Sequence, residues 1–328
     1  MDKIKIGIYG YGNLGKGVEI AIHNNPDMEL VGIFTRREPN SISTLYKDSK
    51  VYSVSDAYKM KNNIDVMILC GGSATDLPKQ GPNICSIFNT VDSYDTHAKI
   101  PEYFEAMNSS AKKANTLALI SCGWDPGLFS LNRSLLESIL PTGENYVFYG
   151  KGLSQGHSDA IRRIEGVKNA VQYTVPYDES VEKVRNGQNP HFASVREVMW
   201  RECFVVLEDG ADPKKIEKEI KEMENYFEPY NTVVNFISEE ELKEKHSGMP
   251  HGGFVLRSGK TSDGCNQIAE FSLKLDSNPE FTASVLVAYA RAIYKMRKQG
   301  TTGAITVLDV PISLLSPKTS QDLLKNIL

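Results

Sequence analysis

The chain has 328 residues, enough for two domains of ordinary size, and its 41% apolar and 24% charged content is that of a globular protein with a sizeable core. Lysine and arginine number 37 against 41 acidic residues, a net charge of −4, so the basic footprint of a nucleic-acid binder is missing. Five scattered cysteines, Cys70, Cys85, Cys122, Cys203 and Cys265, include no CxxC pair, which argues for reduced thiols in the cytoplasm and against a disulfide frame or a zinc site.

Ile4, Ile6 and Ile8 alternate at strand period, and the strand runs into Gly10-Tyr11-Gly12-Asn13-Leu14-Gly15. Leu14, Val18, Ala21 and Ile22 follow at the spacing of one helix face. GxGxxG between a strand and a helix reads as a dinucleotide-binding turn. Gly10 permits the tight turn, Gly12 lets backbone approach a pyrophosphate, and Gly15 lets helix and strand pack closely. The anion would rest on N–H groups at the positive end of the helix; a glycine turn without a ligand is the minor alternative. The next strand, 30–34 (LVGIF), ends in Thr35, Arg36 and Arg37, where NAD binders place an acid for the ribose 2′-hydroxyl. A hydroxyl and two guanidinium groups suit a 2′-phosphate instead. NADP is therefore the expected cofactor, with modest NAD use left open.

Strand 66–69 (VMIL) leads into Cys70-Gly71-Gly72-Ser73-Ala74-Thr75, small residues that leave room for a nicotinamide ribose at the carboxyl edge. Cys70 reads as a wall of that site, because no base stands near it in sequence. Runs 84–91 and 117–121 add two strands, and strands alternating with helices imply a parallel sheet. Two acids fall at its carboxyl edge: Asp95 in TVDSYD and Asp125 in Gly123-Trp124-Asp125-Pro126-Gly127. Asp125 also reads as the N-cap of a helix carrying Leu128, Leu131 and Leu135, while Trp124 suits the wall of a small-molecule pocket.

After about residue 120 the texture changes. Runs 146–149, 203–207, 232–238, 253–257 and 268–275 read as strands of a largely antiparallel sheet. Helix 213–224 starts at an Asp212 cap followed by Pro213, with Ile216, Ile220 and Met223 as its buried stripe. A last helix, 281–298, is apolar enough to be packed on both sides. Segment 152–159 (GLSQGHSD) reads equally well as a polar loop before a helix from Ala160 or as an anion nest. Segment 247–253 (SGMPHGG) presents His251, a donor to an anion if a pocket lies near; with His246 it lacks the spacing of a zinc pair. No signal-peptide core is visible, and no apolar run reaches the roughly 18 residues of a membrane span.

GYGNLG, LVGIFTRR, TVDSYDTH, GWDPG, GLSQGHSDA, GMPHGG and KLDSNPEFTAS together resemble the meso-diaminopimelate dehydrogenases, NADP-dependent enzymes of lysine biosynthesis. The resemblance runs in order over nearly the whole chain. It implies a homodimer acting at the D-centre of meso-2,6-diaminopimelate to give L-2-amino-6-oxopimelate, ammonia and NADPH. It places Asp95 and Asp125 at the reacting amine, with Trp124, Gln155 and Gly156 orienting that end. Thr174, Arg201 and His251 fall to the distal L-carboxylate, and Asn278 to a polar contact there. Tyr149 stands where family members can carry Trp, a departure that bears on tolerance for other D-amino acids. The expected fold is α/β: a Rossmann-type doubly wound parallel sheet over 1–120, completed by about 276–328, and an α+β dimerisation and substrate domain with a mostly antiparallel sheet over 121–275. No metal is expected. Two rivals remain. A dihydrodipicolinate reductase-like enzyme is disfavoured by chain length and by the lack of that family's histidine–lysine signature, and a non-catalytic NADP sensor leaves Asp95, Asp125, Arg201 and His251 without a joint purpose.

Overall fold

Alternation in the N-terminal strands serves a sheet that is buried on both faces. The computed structural model describes residues 3–224 and 226–328. The chain runs through β1 (Ile4–Tyr9), α1 (Asn13–His23), β2 (Met28–Thr35), β3 (Val51–Ser53), β4 (Val66–Leu69), α2 (Leu77–Cys85), β5 (Asn89–Asp92), α3 (Ile100–Ala114), β6 (Leu117–Leu119) and α4 (Leu128–Ile139). It continues through β7 (Gly143–Tyr149), β8 (Gly152–Leu153), α5 (Gln155–Arg162), β9 (Val167–Pro176), α6 (Asp178–Arg185), β10 (Met199–Leu207), α7 (Pro213–Lys221), β11 (Asn231–Phe236), α8 (Glu239–Lys245), β12 (His251–Ser262) and β13 (Cys265–Leu275). It ends with α9 (Asn278–Lys298), β14 (Gly303–Ile305) and α10 (Ser320–Asn326). Two compact units result: the chain through Leu131 together with Pro279–Leu328, and Asn132–Asn278.

In the first unit seven strands lie in the order β14-β6-β5-β4-β1-β2-β3, every neighbouring pair parallel. Val66 and Ile68 of β4 join a core with Val18 and Ile22 of α1 and Leu286 and Ile293 of α9. Met67 and Leu69, one residue out of phase, join Leu77, Ile84, Tyr103 and Met107 of α2 and α3. Helices thus cover both faces, which is the doubly wound arrangement expected. Strand order reverses between β1 and β4, and in such sheets ligands bind in the crevice outside that point. The apolar run 84–91 divides differently from expectation. Ile84 and Cys85 close α2, and only Asn89–Asp92 forms a strand, since periodicity cannot separate helix from strand in so short a run.

Helix α9 starts at Asn278, three residues earlier than its apolar stripe, and buries Arg291 to 2% exposure. The guanidinium donates to both oxygens of Asp27 at 2.6 and 2.8 Å, to Asn25 Oδ1 at 2.6 Å and to the Leu315 carbonyl at 2.8 Å. It holds the Asp27 carboxyl below the usual carboxylate range. Arg291→Met keeps the volume and strips Asp27 of its partner, so we expect a loss of about 2–3 kcal/mol, roughly 5–10 °C in Tm. A depressed folded pKa means that the stabilisation is present above about pH 4 and is lost as acid titrates Asp27. Melting curves of both proteins should therefore differ at pH 7 and converge toward pH 3.

In the second unit the strands form a sheet of order β11-β10-β9-β8, antiparallel except for the β10–β11 pair, and an antiparallel sheet β13-β12-β7. Ala170, Cys203 and Val205 pack on Ile216 and Ile220 of α7. Val171, Tyr173 and Val206 pack with Leu242 of α8. The α7 cap forms as expected, Asp212 accepting from the Lys214 N–H at 2.9 Å with Pro213 next. Strand β9 is invisible to periodicity because Gln172 and Thr174 stand on a buried face. Helix α5 begins at Gln155, five residues before the expected Ala160. No helix among the described residues is long and apolar enough to cross a membrane.

Candidate cofactor and substrate sites

At the switch point a cavity of about 330 Å³ is lined by Gly10, Tyr11, Gly12, Thr35, Arg36, Arg37, Cys70, Gly71 and Gly72, together with Asp76 and Gln80. The glycines act as their spacing implies. Gly10 has φ +99° and a Cβ there would stand 3.2 Å from the Cys70 carbonyl group, whereas a Cβ on Gly15 would stand 2.4 Å from the Gly10 oxygen. Gly12 faces open space, with nothing within 4 Å of an added Cβ. Helix α1 has no side-chain cap and no acid in its first turn, so the N–H groups of its Asn13-Leu14-Gly15 start suit a pyrophosphate. Tyr11 donates its hydroxyl to the buried Glu19, whose carboxylate also accepts from the Leu45 and Tyr46 N–H groups at 3.1 and 3.3 Å. The variable residue of the turn thereby anchors the loop that follows β2. Arg37 donates to the Tyr11 carbonyl at 2.5 Å and its N–H to Thr35 Oγ1 at 3.1 Å. Burial pushes the Cys70 thiol up, so it is protonated at neutral pH and serves as wall. Asn13, Leu14, Gly15, Ser73 and Thr75 do not line this cavity; Ser73 turns instead to Asp95.

The two expected carboxylates stand on adjoining loops of the same unit. The Asp95 N–H donates to Ser73 Oγ at 2.7 Å, which ties its loop to the segment after β4. A Cβ on Gly123 would lie 3.9 Å from Ser93 Cβ and 3.5 Å from Thr282 Cγ2, so the loops carrying Asp95 and Asp125 touch. Trp124 is buried, edge-on to Phe129 with centroids 5.1 Å apart. What holds the loops is a residue that sequence reasoning passed over. Asp92, fully buried at the end of β5, accepts from the Tyr94 and Ser121 N–H groups through one oxygen at 3.0 and 3.1 Å. Its other oxygen accepts from the Tyr103 hydroxyl at 2.8 Å, and its carbonyl from the Cys122 N–H at 2.8 Å. Burial raises its carboxyl to about 6 against the pull of these donors. An acid inside a buried strand run was the available signal.

In the second unit Gly152, Thr174, Arg201 and Thr232 stand in register across β8, β9, β10 and β11. Arg201, 6% exposed, donates to Thr174 Oγ1 and lies with its guanidinium carbon 3.9 Å from the Tyr230 ring centre. Burial lowers its pKa, yet a guanidinium stays charged. Its Nε, Thr232 Oγ1 and both amide atoms of Gln172 are buried without hydrogen-bond partners. Folded proteins seldom leave such atoms orphaned, and a buried cation beside them suits a carboxylate. His157 is half-buried nearby, bonded to Ser154 Oγ at 2.8 Å, and desolvation together with Arg201 pushes its pKa down to about 4. It is neutral at physiological pH and adds no second charge.

The loop between α8 and β12 gathers three further expected residues. Met249 accepts the Asn278 N–H through its carbonyl at 2.9 Å and Gln155 Nε2 through its sulfur at 3.4 Å. The imidazole of His251 occupies the space that a Cβ on Gly152 would take, at 2.4–2.6 Å. Gly156 opens to space, with nothing within 4 Å of an added Cβ, and Tyr149 pairs with Gly253 at the end of β7. Segment 152–159 is not a loop before a helix at Ala160: β8 takes Gly152–Leu153 and α5 opens at Gln155 with Ser154 at the N-cap position. His251 also borders a cavity of about 600 Å³ whose walls include Lys151, Tyr173 and His246 but neither Thr174 nor Arg201.

Comparison with known proteins covers the full length. Residues 123–277 match the family model of the diaminopimelic acid dehydrogenase C-terminal domain. The meso-diaminopimelate D-dehydrogenase of Ureibacillus thermosphaericus is 64% identical over 328 residues, 100% of both chains. Among solved structures, a six-substitution variant of the Clostridium tetani meso-diaminopimelate dehydrogenase with diaminopimelate superposes at a TM-score of 0.93, with 57% identity over 99% of this chain and 100% of that one. An engineered D-amino acid dehydrogenase bound to NADP+ gives a TM-score of 0.85 and 45% identity over 99% and 100%.

Proposed function

The chain belongs to the meso-diaminopimelate dehydrogenase family, and on that premise we propose that it oxidatively deaminates meso-2,6-diaminopimelate at its D-centre with NADP as acceptor. Substrate, water and NADP+ give L-2-amino-6-oxopimelate, ammonium, NADPH and one released proton. The observation that carries the reading is the buried Arg201, whose unpartnered Nε lies in the unit that matches the family model. Binding of NADP+ by the engineered relative supports the choice of cofactor, as do the arginines after β2. The residue kinds altered in the Clostridium tetani variant, in order Gln, Thr, Arg, Pro, His and Asn, occur here in the same order as Gln155, Thr174, Arg201, Pro250, His251 and Asn278.

When bound, the nicotinamide supplies the hydride acceptor. The α-hydrogen can leave as hydride only once the amine lone pair is free, so Asp95 or Asp125 must first take an ammonium proton. The same carboxylates hold the amine, and can later take a proton from the water that adds to the imine carbon. Trp124, Gln155 and Gly156 orient the reacting end, with Tyr149 bounding it. Arg201, Thr174 and His251 hold the distal carboxylate, and Asn278 a polar group beside it. Fixing both ends selects which stereocentre meets the cofactor and contributes to rate through positioning. A cytoplasmic homodimer completes the proposal. The test is NADPH formation with meso-diaminopimelate and a panel of D-amino acids. Turnover restricted to the meso isomer supports the reading, broad turnover points to a relaxed pocket at Tyr149, and nucleotide binding without turnover would favour a sensor.

A further inference from the structure

We infer that Asp76 is a cofactor-specificity residue, whose carboxylate competes with the 2′-phosphate for Arg36 and reduces the preference for NADP over NAD. The inference rests on the nucleotide reading above and deepens it. Asp76 lies just before α2, yet it makes no capping bond to that helix. Its side chain turns into the nucleotide cavity, where it lines the wall with Thr35, Arg36 and Arg37. There its two oxygens meet the two terminal nitrogens of Arg36 at 2.8 and 3.0 Å, a bidentate pair. One of them also accepts from the Gly72 N–H at 3.1 Å, so the carboxylate is braced by the loop expected to flank the nicotinamide ribose. Arg37 is engaged too, through the Tyr11 carbonyl.

Chemistry gives the direction. A 2′-phosphate dianion placed at Arg36 must displace Asp76 or lie beside its like charge, and either lowers its affinity. A 2′-hydroxyl, by contrast, can donate to the same carboxylate, the contact that NAD binders use. The acid that the end of β2 lacks is thus provided from β4's loop, 40 residues downstream of the arginine it meets. Because Arg36 is largely exposed, water and salt screen the pair, and the shift is moderate.

Calorimetric dissociation constants for NADP, NAD and 2′,5′-ADP on the native chain, Asp76→Asn and Asp76→Ser test this without turnover. Both variants keep a polar group for the Gly72 N–H. We expect NADP and 2′,5′-ADP to bind about tenfold tighter to the variants and NAD to weaken, with the contrast shrinking in high salt. A ratio of NADP to NAD affinity within twofold of the native chain's in both variants would overturn this inference alone. So would equal weakening of both dinucleotides, which would make Asp76 a brace for the Gly71-Gly72 turn and nothing more. Binding of neither dinucleotide to the native chain would overturn the nucleotide reading and this inference with it.

Discussion

Arg201→Met is expected to raise the KM for meso-diaminopimelate at least about 100-fold, or to abolish saturation, while the dissociation constant for NADP stays within about twofold. The side chain is nearly isosteric, so the sheet row from Gly152 to Thr232 can persist. What disappears is the buried charge, the bond to Thr174 and the stack on Tyr230. A carboxylate that had exchanged water for a guanidinium would then be buried opposite a thioether, and truncating one side of such a pair costs about 2–5 kcal/mol. Arg201→Lys should recover little, because an ammonium lacks the planar fork and the stacking face. Steady-state kinetics with calorimetric NADP binding decide the matter. Unchanged KM in a folded Met variant would remove Arg201 from the substrate site. A parallel loss of NADP binding would indicate wider damage.

How much of this was legible in the sequence depended on the range of the interactions involved. The turn from Gly10 to Gly15 could be read residue by residue because each glycine answers a local demand: a positive φ, an open approach and a close packing contact. The Asp212 cap and the stripe of α7 were equally local. Arg201 lies inside MWRECFVVL, where no periodicity marks it; resemblance alone singled it out, because its partner Thr174 is 27 residues upstream on another strand. Strand β9 escaped for the same reason, its polar residues Gln172 and Thr174 being buried by tertiary structure that a window of sequence does not contain. Asp76 was missed because its carboxylate serves a loop 40 residues away, although the argument about an acid near the ribose was already available. On the inference above, that acid comes from the loop after β4 and not from the end of β2.

Asp92→Leu is expected to lower kcat about 100-fold with NADP affinity preserved, whereas Asp92→Asn retains most of the rate. The Asp92 carboxylate holds the Tyr94 and Ser121 N–H groups on a single oxygen, one in the loop of Asp95 and the other at the start of the segment leading to Asp125. Leucine removes that acceptor and leaves two buried donors unsatisfied, which frees both loops to shift; a displacement of about 1 Å of positioned groups can cost about 100-fold. Asparagine keeps an oxygen toward the two N–H groups and can turn its amide toward the Tyr103 hydroxyl. The pH dependence of stability separates this role from simple core packing. With a folded-state carboxyl raised to about 6 against about 3.9 when unfolded, the native state holds its proton longer. Wild-type stability therefore falls as pH rises from about 4 to 6 and stays lower above that range, by about 3 kcal/mol. Asp92→Asn escapes that cost, so its Tm should match or exceed the wild type's at pH 8 and approach it near pH 4. A charge that weakens the fold while joining the two loops is what a positioning residue requires. A folded Leu variant with native kcat would show that the loops hold themselves.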